Sequence, residues 1–95
     1  MLEAGWFLHE FIKALNIKKK IFADYIHTKE SNLSALFSGK RRINADLAVK
    51  FGKIFGVKPV IWINIQSKND IYKIESQRGN EYQTYSLSNL LEKAK

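Results

Sequence analysis

Two clusters of cations bracket one short stretch of this chain. Lys18, Lys19 and Lys20 stand in front of it, and Lys40, Arg41 and Arg42 stand behind it. Side chains of this kind hold anions, and their placement points to phosphate. The lysine triplet falls at or just before the start of a helix, where the positive end of the peptide dipole makes each cation cost on the order of 0.3–1 kcal/mol. A chain built for stability alone would carry Asp or Glu there. Local rules tend to be broken at functional sites. A helix start bearing lysines clamps phosphate because backbone N–H groups and ammonium charges converge on one anion. Between the clusters, Glu30, Ser31, Asn32, Ser34 and Ala35 make up a small polar face on a second short helix, narrow enough to enter the major groove of a duplex.

The elements that must position these groups follow from spacing. A first helix spans Gly5 to about Leu15, with Phe7, Phe11 and Leu15 on one stripe, Leu8 and Ile12 beside it, and His9, Glu10 and Lys13 outward. Asn16 and Ile17 break that pattern. A second helix runs from about Lys19 to Ile26 with Phe22, Ala23 and Ile26 inward, the small Ala23 allowing another helix to approach. His27 and Thr28 form a turn, and Thr28 is placed to cap a third helix whose Leu33, Leu36 and Phe37 face the core, with Glu30 near its positive end. Gly39 suits a left-handed helix end. Asn44 caps a fourth helix, Ala45 to Phe55, with an inward stripe of Leu47, Ala48, Phe51, Ile54 and Phe55, closed by Gly56. Pro59 opens a fifth helix through about Ser67, with Ile61, Trp62 and Ile65 apolar.

This organisation predicts one all-α domain over residues 1–70 and a C-terminal extension over 71–95. The extension carries Ile71, Ile74, Tyr82, Tyr85, Leu87, Leu90 and Leu91. They are enough apolar surface for a dimer or partner contact, with a partly disordered tail as the alternative. Its Ser76–Thr84 stretch reads as a loop, and Ser86 or Ser88 as the start of a short final helix.

Composition narrows the partners. Ninety-five residues make one domain's worth of chain, and sixteen Lys and Arg against nine Asp and Glu leave a net charge of +7. Such a balance favours nucleic acid or an anionic membrane surface. There is no cysteine, so disulfides and thiolate metal sites are excluded. No apolar run approaches the roughly 20 residues of a membrane span. Glu3, His9, Glu10 and Lys13 interrupt the apolar N-terminal residues, which speaks against a signal peptide and for the cytoplasm. His9-Glu10 begins like a zinc-protease signature, but Lys13 stands where the second histidine belongs. Ser38-Gly39-Lys40 lacks the upstream glycine of a phosphate loop, and no Ser/His/Asp set is suggested by spacing. Neither an enzyme nor a cofactor or metal is expected. His27 reads as a turn residue, and Trp6 and Trp62 as packing residues.

The residues from Ala23 onward resemble the Cro/C1-repressor-type (XRE) helix-turn-helix family, and within it the HigA-type antitoxins, the plasmid maintenance antidote proteins. The family's alanine in the second helix, its turn four residues on, and its Leu-Ser-x-Leu-x-x-Gly-Lys-Arg-Arg-Ile run are matched by Ala23, His27, Leu33, Ser34, Leu36, Gly39, Lys40, Arg41, Arg42 and Ile43. The run that follows in the family is matched by Asn44, Asp46, Ala48, Phe51, Gly52, Phe55, Gly56, Pro59, Trp62, Ile63, Ile65 and Gln66. This second half discriminates, because generic repressors of the class share only the first. The likeness covers roughly residues 5–71.

The resemblance implies a five-helix lambda-repressor-like DNA-binding domain, working as a homodimer on a palindromic operator, with recognition helices about 34 Å apart. It also implies an autorepressing antitoxin with a cognate toxin protein as partner. Its base-reading positions fall on Glu30, Ser31, Asn32 and Ala35, and the expected phosphate-binding set is Lys18, Lys19, Lys20, Lys29, Lys40, Arg41 and Arg42. Glu can accept from cytosine N4, Asn can pair with adenine, and Ala35 can meet a thymine methyl. The chain departs from the pattern at three places. His27 stands where the family has a turn glycine, and Lys18 and Lys29 stand where it has capping serines. The alternative function is a protein-interaction module of the same fold that chiefly binds a toxin or other protein, with weak or lost DNA binding.

Overall fold

Trp62 and Phe51 sit at the centre of the molecule, both fully buried, with ring centroids 5.5 Å apart and edge-to-face. Around them close Ala4, Leu8, Ile12, Phe22, Ala23, Ile26, Leu33, Leu36, Ile43 and Ala48. In the computed structural model, which describes residues 3–95, this core is built by α1 (Ala4–Ala14), α2 (Lys19–Tyr25), α3 (Glu30–Phe37), α4 (Ala45–Phe55) and the first half of α5 (Pro59–Tyr82), with α6 (Leu87–Lys93) beyond them. The protein is all-α, with no strand among the described residues. No helix among them is long and apolar enough to cross a membrane.

Helix ends follow the residues closely. Asn44 Oδ1 accepts from the Leu47 N–H at 2.8 Å, the N-cap arrangement expected for α4. Gly56 closes α4 at φ 67°, and Gly39, just past α3, lies at φ 80°. Two non-glycine residues take the same left-handed role: Asn16 at φ 56° after α1 and His27 at φ 60° after α2. At α2 the His27 N–H donates to the Asp24 carbonyl and the Thr28 N–H to the Ala23 carbonyl, the paired bonds of a Schellman ending.

That ending corrects the expectation for Thr28. Its backbone belongs to the close of α2, so the N-cap of α3 is Lys29, one residue later and without a side-chain cap. The Thr28 hydroxyl instead accepts from Asn32 Nδ2 at 3.3 Å. Lys18, at the N-cap of α2, likewise provides no side-chain cap.

The inward face of α1 is also rotated from the expected stripe. Ala4, Gly5, Leu8 and Ile12 are buried, while Phe11 is 40% and Leu15 56% exposed. The close approach of α3 decides this. A β-carbon on Gly5 would overlap the Leu36 carbonyl oxygen, so the glycine must face α3 and its neighbours at 4, 8 and 12 turn inward with it. Phe11 moves to the flank, where it stacks on Phe55 at 4.9 Å. His9 stays exposed and stacks on half-buried Phe37 at 4.5 Å. Trp6 is 41% exposed, packed edge-on against Phe7 alone among rings.

The largest correction concerns α5, which does not end near Ser67 but runs 24 residues to Tyr82. The stretch read as a loop is helical through Tyr82, and the boundary at residue 70 falls inside a continuous helix. Nothing after Pro59 breaks it. Gly79 costs about 1 kcal/mol against alanine, too little to end a helix on its own. The helix is hard to see in the sequence because its distal half faces no core and so needs no apolar period. Among residues 71–95 only Gly79 is other than exposed. The molecule therefore measures 60 × 22 × 20 Å with a radius of gyration of 18.0 Å, against about 12 Å for a compact chain of this length. Of the two serines expected to start the final helix, Ser86 caps α6, its Oγ accepting from the Asn89 N–H at 3.1 Å.

Candidate nucleic-acid interface

α2 and α3 are joined by only four residues, and Leu33, Leu36, Phe22, Ala23 and Ile26 bury their shared face. With those faces turned inward, Glu30 and Ser31 are exposed at the start of α3, and Asn32, Ser34 and Ala35 are half-buried along it. This brings together the four residues expected to read bases. Asn32 is held by its bond to Thr28, which orients the amide toward the start of the helix.

The front cluster borders the same face. Lys19 Nζ donates to Ser34 Oγ at 2.8 Å, placing its ammonium across the gap between α2 and α3. Lys18, Lys20 and Lys29 are exposed at the two helix starts. Behind α3, the exposed Lys40 and Arg41 follow Gly39. The Arg41 N–H donates to the Ala35 carbonyl at 3.0 Å, which folds the loop back against α3. Among the described residues the carboxylate ion pairs are Lys13–Glu10, Arg42–Asp70, Lys50–Asp46, Lys73–Glu3 and Lys95–Glu92. None of them uses Lys18, Lys19, Lys20, Lys29, Lys40 or Arg41.

Arg42 differs from the rest of its cluster. Its Nη1 and Nη2 donate to the two oxygens of Asp70 at 3.1 and 2.6 Å. These hydrogen bonds raise its pKa above the ordinary arginine value, the neighbouring charges of Asp70 and Glu3 adding to them. One turn along α5, Lys73 donates to Glu3 at 2.7 Å, a bond that raises the Lys73 pKa. Next to Arg42, the backbone of buried Ile43 is held at both ends by Gln66: Gln66 Oε1 accepts from the Ile43 N–H at 2.6 Å, and Gln66 Nε2 donates to the Ile43 carbonyl at 2.8 Å.

Sequence reasoning assigns no role to Gln66, Asp70, Glu3 or Lys73. Gln66 has a signal, as the last residue of the matched family pattern. The ion-pair residues have none, since Glu3 and Lys73 lie 70 positions apart. Gly52 is a further position set by close approach: a β-carbon there would come 2.5 Å from the Val57 carbonyl oxygen, so the glycine lets the α4–α5 connection fold tightly over the helix.

The two short helices, the left-handed turn at His27, the polar outer face of α3 and its flanking cations form a helix-turn-helix similar to that of Cro/C1-repressor (XRE) proteins, in a chain with the fold of HigA-type antitoxins. A structure of an addiction module antidote protein of the HigA family from Coxiella burnetii superposes with a TM-score of 0.81 at 26% identity, covering 90% of this chain and 94% of that one. The Pseudomonas aeruginosa antitoxin HigA, solved with the higBA promoter, gives a TM-score of 0.79 at 21% identity over 90% of this chain and 94% of that one, a likeness of fold. Among curated proteins, the HTH-type transcriptional regulator YbaQ of Escherichia coli K12 is 26% identical over 69 residues, 73% of this chain and 61% of the relative. The match thus spans less than two thirds of that relative's length. No family model matches the chain.

Proposed function

We propose that this chain is a sequence-specific DNA-binding regulator, an autorepressing antitoxin of a toxin–antitoxin pair that binds a palindromic operator as a dimer. The observation that carries this reading is the α3 face: small polar side chains set between cations that, Arg42 apart, pair with no carboxylate among the described residues. The HigA neighbour solved with its promoter has the same fold, which supports it. Glu30, Ser31, Asn32 and Ala35 read base edges. Lys18, Lys19, Lys20 and Lys29 contact phosphates ahead of α3, and the Lys40–Arg42 loop contacts them behind it. Phosphate contacts from both sides fix the helix in register, and the few base contacts supply the sequence preference.

The test is binding to the duplex immediately upstream of the chain's own reading frame, measured across salt concentrations. Each phosphate contact contributes a slope of about 0.9 to the log–log salt dependence. Arg41→Ala and Lys19→Ala are each expected to flatten the slope by about that amount for every phosphate the side chain engages. No binding to that duplex at low salt, with the protein dimeric, would sink this reading.

A second reading has its own support in the arm made by the distal half of α5 and α6. Ile71, Ile74, Leu87, Leu90 and Leu91 are between 47% and 69% exposed there, an apolar surface suited to a protein partner. In that reading the chain chiefly binds a toxin or other protein, and its affinity for the duplex is weak and nearly independent of position 41.

A further inference from the structure

The loop behind α3 is tied to α5 at one end only. Its last two residues, Arg42 and Ile43, are both tied to α5, and their partners Asp70 and Gln66 lie four residues apart on one face of that helix. Four groups of the loop are thereby held: two guanidinium nitrogens and both backbone groups of Ile43. The first two residues, Lys40 and Arg41, are exposed and enter none of the ion pairs among the described residues.

The charges divide in the same way. Arg42, Asp70, Lys73 and Glu3 form two ion pairs side by side, two cations against two carboxylates. A phosphate approaching Arg42 therefore meets a group whose charge is already balanced, with two carboxylates close by. A phosphate approaching Lys40 or Arg41 meets uncompensated charge. The Arg42–Asp70 pair is solvent-exposed, at 60% and 41% of its side-chain surfaces, so its value to folding stability is small. Its bidentate geometry is nevertheless the arrangement in which a surface pair holds a side chain in one place.

From this geometry we infer that Asp70 is a positioning residue for the DNA-contacting loop. It fixes Arg42 as a strut between the loop and α5, so that phosphate contact from this loop falls to Lys40 and Arg41 and Arg42 makes none. The inference rests on the DNA-binding reading above and narrows it at one residue.

The experiment is salt-dependent binding of the full chain to the duplex upstream of its own reading frame, with far-UV circular dichroism confirming the fold of each variant. Arg41→Ala is expected to flatten the log–log slope by about 0.9 per loop engaged. Arg42→Gln leaves the slope of the unchanged protein and lowers affinity severalfold at every salt concentration, because the loop loosens. Asp70→Asn produces the same salt-independent fall in affinity, and the exchange of Arg42→Asp with Asp70→Arg restores it. A slope change in Arg42→Gln equal to that in Arg41→Ala would overturn the inference while leaving the DNA reading intact. Tighter, more salt-sensitive binding by Asp70→Asn would overturn it too, since Asp70 would then be withholding a phosphate ligand. Absence of binding by the unchanged protein at low salt would overturn both readings together.

Discussion

Gln66 closes a ring of two hydrogen bonds on Ile43, its amide accepting from the N–H at 2.6 Å and donating to the carbonyl at 2.8 Å. A side chain of α5 thus pairs with the loop as a strand's backbone would. Ile43 is buried at 3% exposure, so neither backbone group has ready access to water. Leaving such groups unpaired costs about 1–3 kcal/mol each, against about 1 kcal/mol gained per bond made. Gln66→Ala is expected to destabilise the fold by about 2–3 kcal/mol, read as a lower urea midpoint at unchanged m-value. Gln66→Glu should recover part of this, since its carboxylate still accepts from the Ile43 N–H.

Gly5 is expected to be the least replaceable residue of α1. A β-carbon there would overlap the Leu36 carbonyl oxygen and press on that of Phe37, and both are backbone atoms of the last two residues of α3. Relief requires α1 to move off α3. Forced shifts of this kind in a packed core cost typically 1–3 kcal/mol. Gly5→Ala should therefore lower the thermal midpoint by roughly 10 °C, at about 4–8 °C per kcal/mol for a domain of this size. An unchanged Tm would show that α1 is not seated on α3 in this way.

The turn between α2 and α3 carries removable strain. His27 holds φ 60°, a conformation that costs a side chain with a β-carbon about 1–2 kcal/mol. Glycine avoids that cost but loses roughly 0.4–1 kcal/mol through its freer unfolded chain. His27→Gly is expected to stabilise the protein by about 0.5–1 kcal/mol. Lys29→Ser, which restores an N-cap acceptor to α3, should add about 1 kcal/mol. The second substitution also removes a cation from the proposed interface, so denaturation should show the gain while duplex binding weakens. A Lys29→Ser protein that binds the duplex with undiminished salt slope would remove Lys29 from the phosphate set.

The arm formed by the end of α5 and by α6 is expected to hold the second copy. Leu90 and Leu91 are 62% and 55% exposed on α6, and α6 buries no residue of its own. Leu90→Asp together with Leu91→Asp should convert a dimer to a monomer in sedimentation while helix content stays constant. A dimer that persists would move the interface off α6.

Much of the site is legible in the sequence because its determinants are local. Asn44, Ser86, Gly39, Gly56 and Pro59 announce helix ends within three or four residues of themselves. The buried faces of α2 and α3 follow from Phe22, Ala23, Ile26, Leu33 and Leu36, which recur at helical spacing. The cation clusters are contiguous in the chain, so their flanking of α3 needs only those helix ends to be right.

Three things are decided by tertiary structure alone. The inward face of α1 is set by the approach of α3 to Gly5, a contact that apolar periodicity cannot register because glycine adds no hydrophobic signal. The length of α5 is hidden because a helix extending past its core has no face to bury and loses the period by which helices are read. The different fate of Arg42 beside Lys40 and Arg41 is hidden because the three cations are alike in sequence. Only the folding of α5 across the end of the loop brings Asp70, 28 positions away, to one of them. Sequence determines local geometry where neighbours along the chain interact, but which exposed charge finds a partner is settled by elements that meet only once the core has formed.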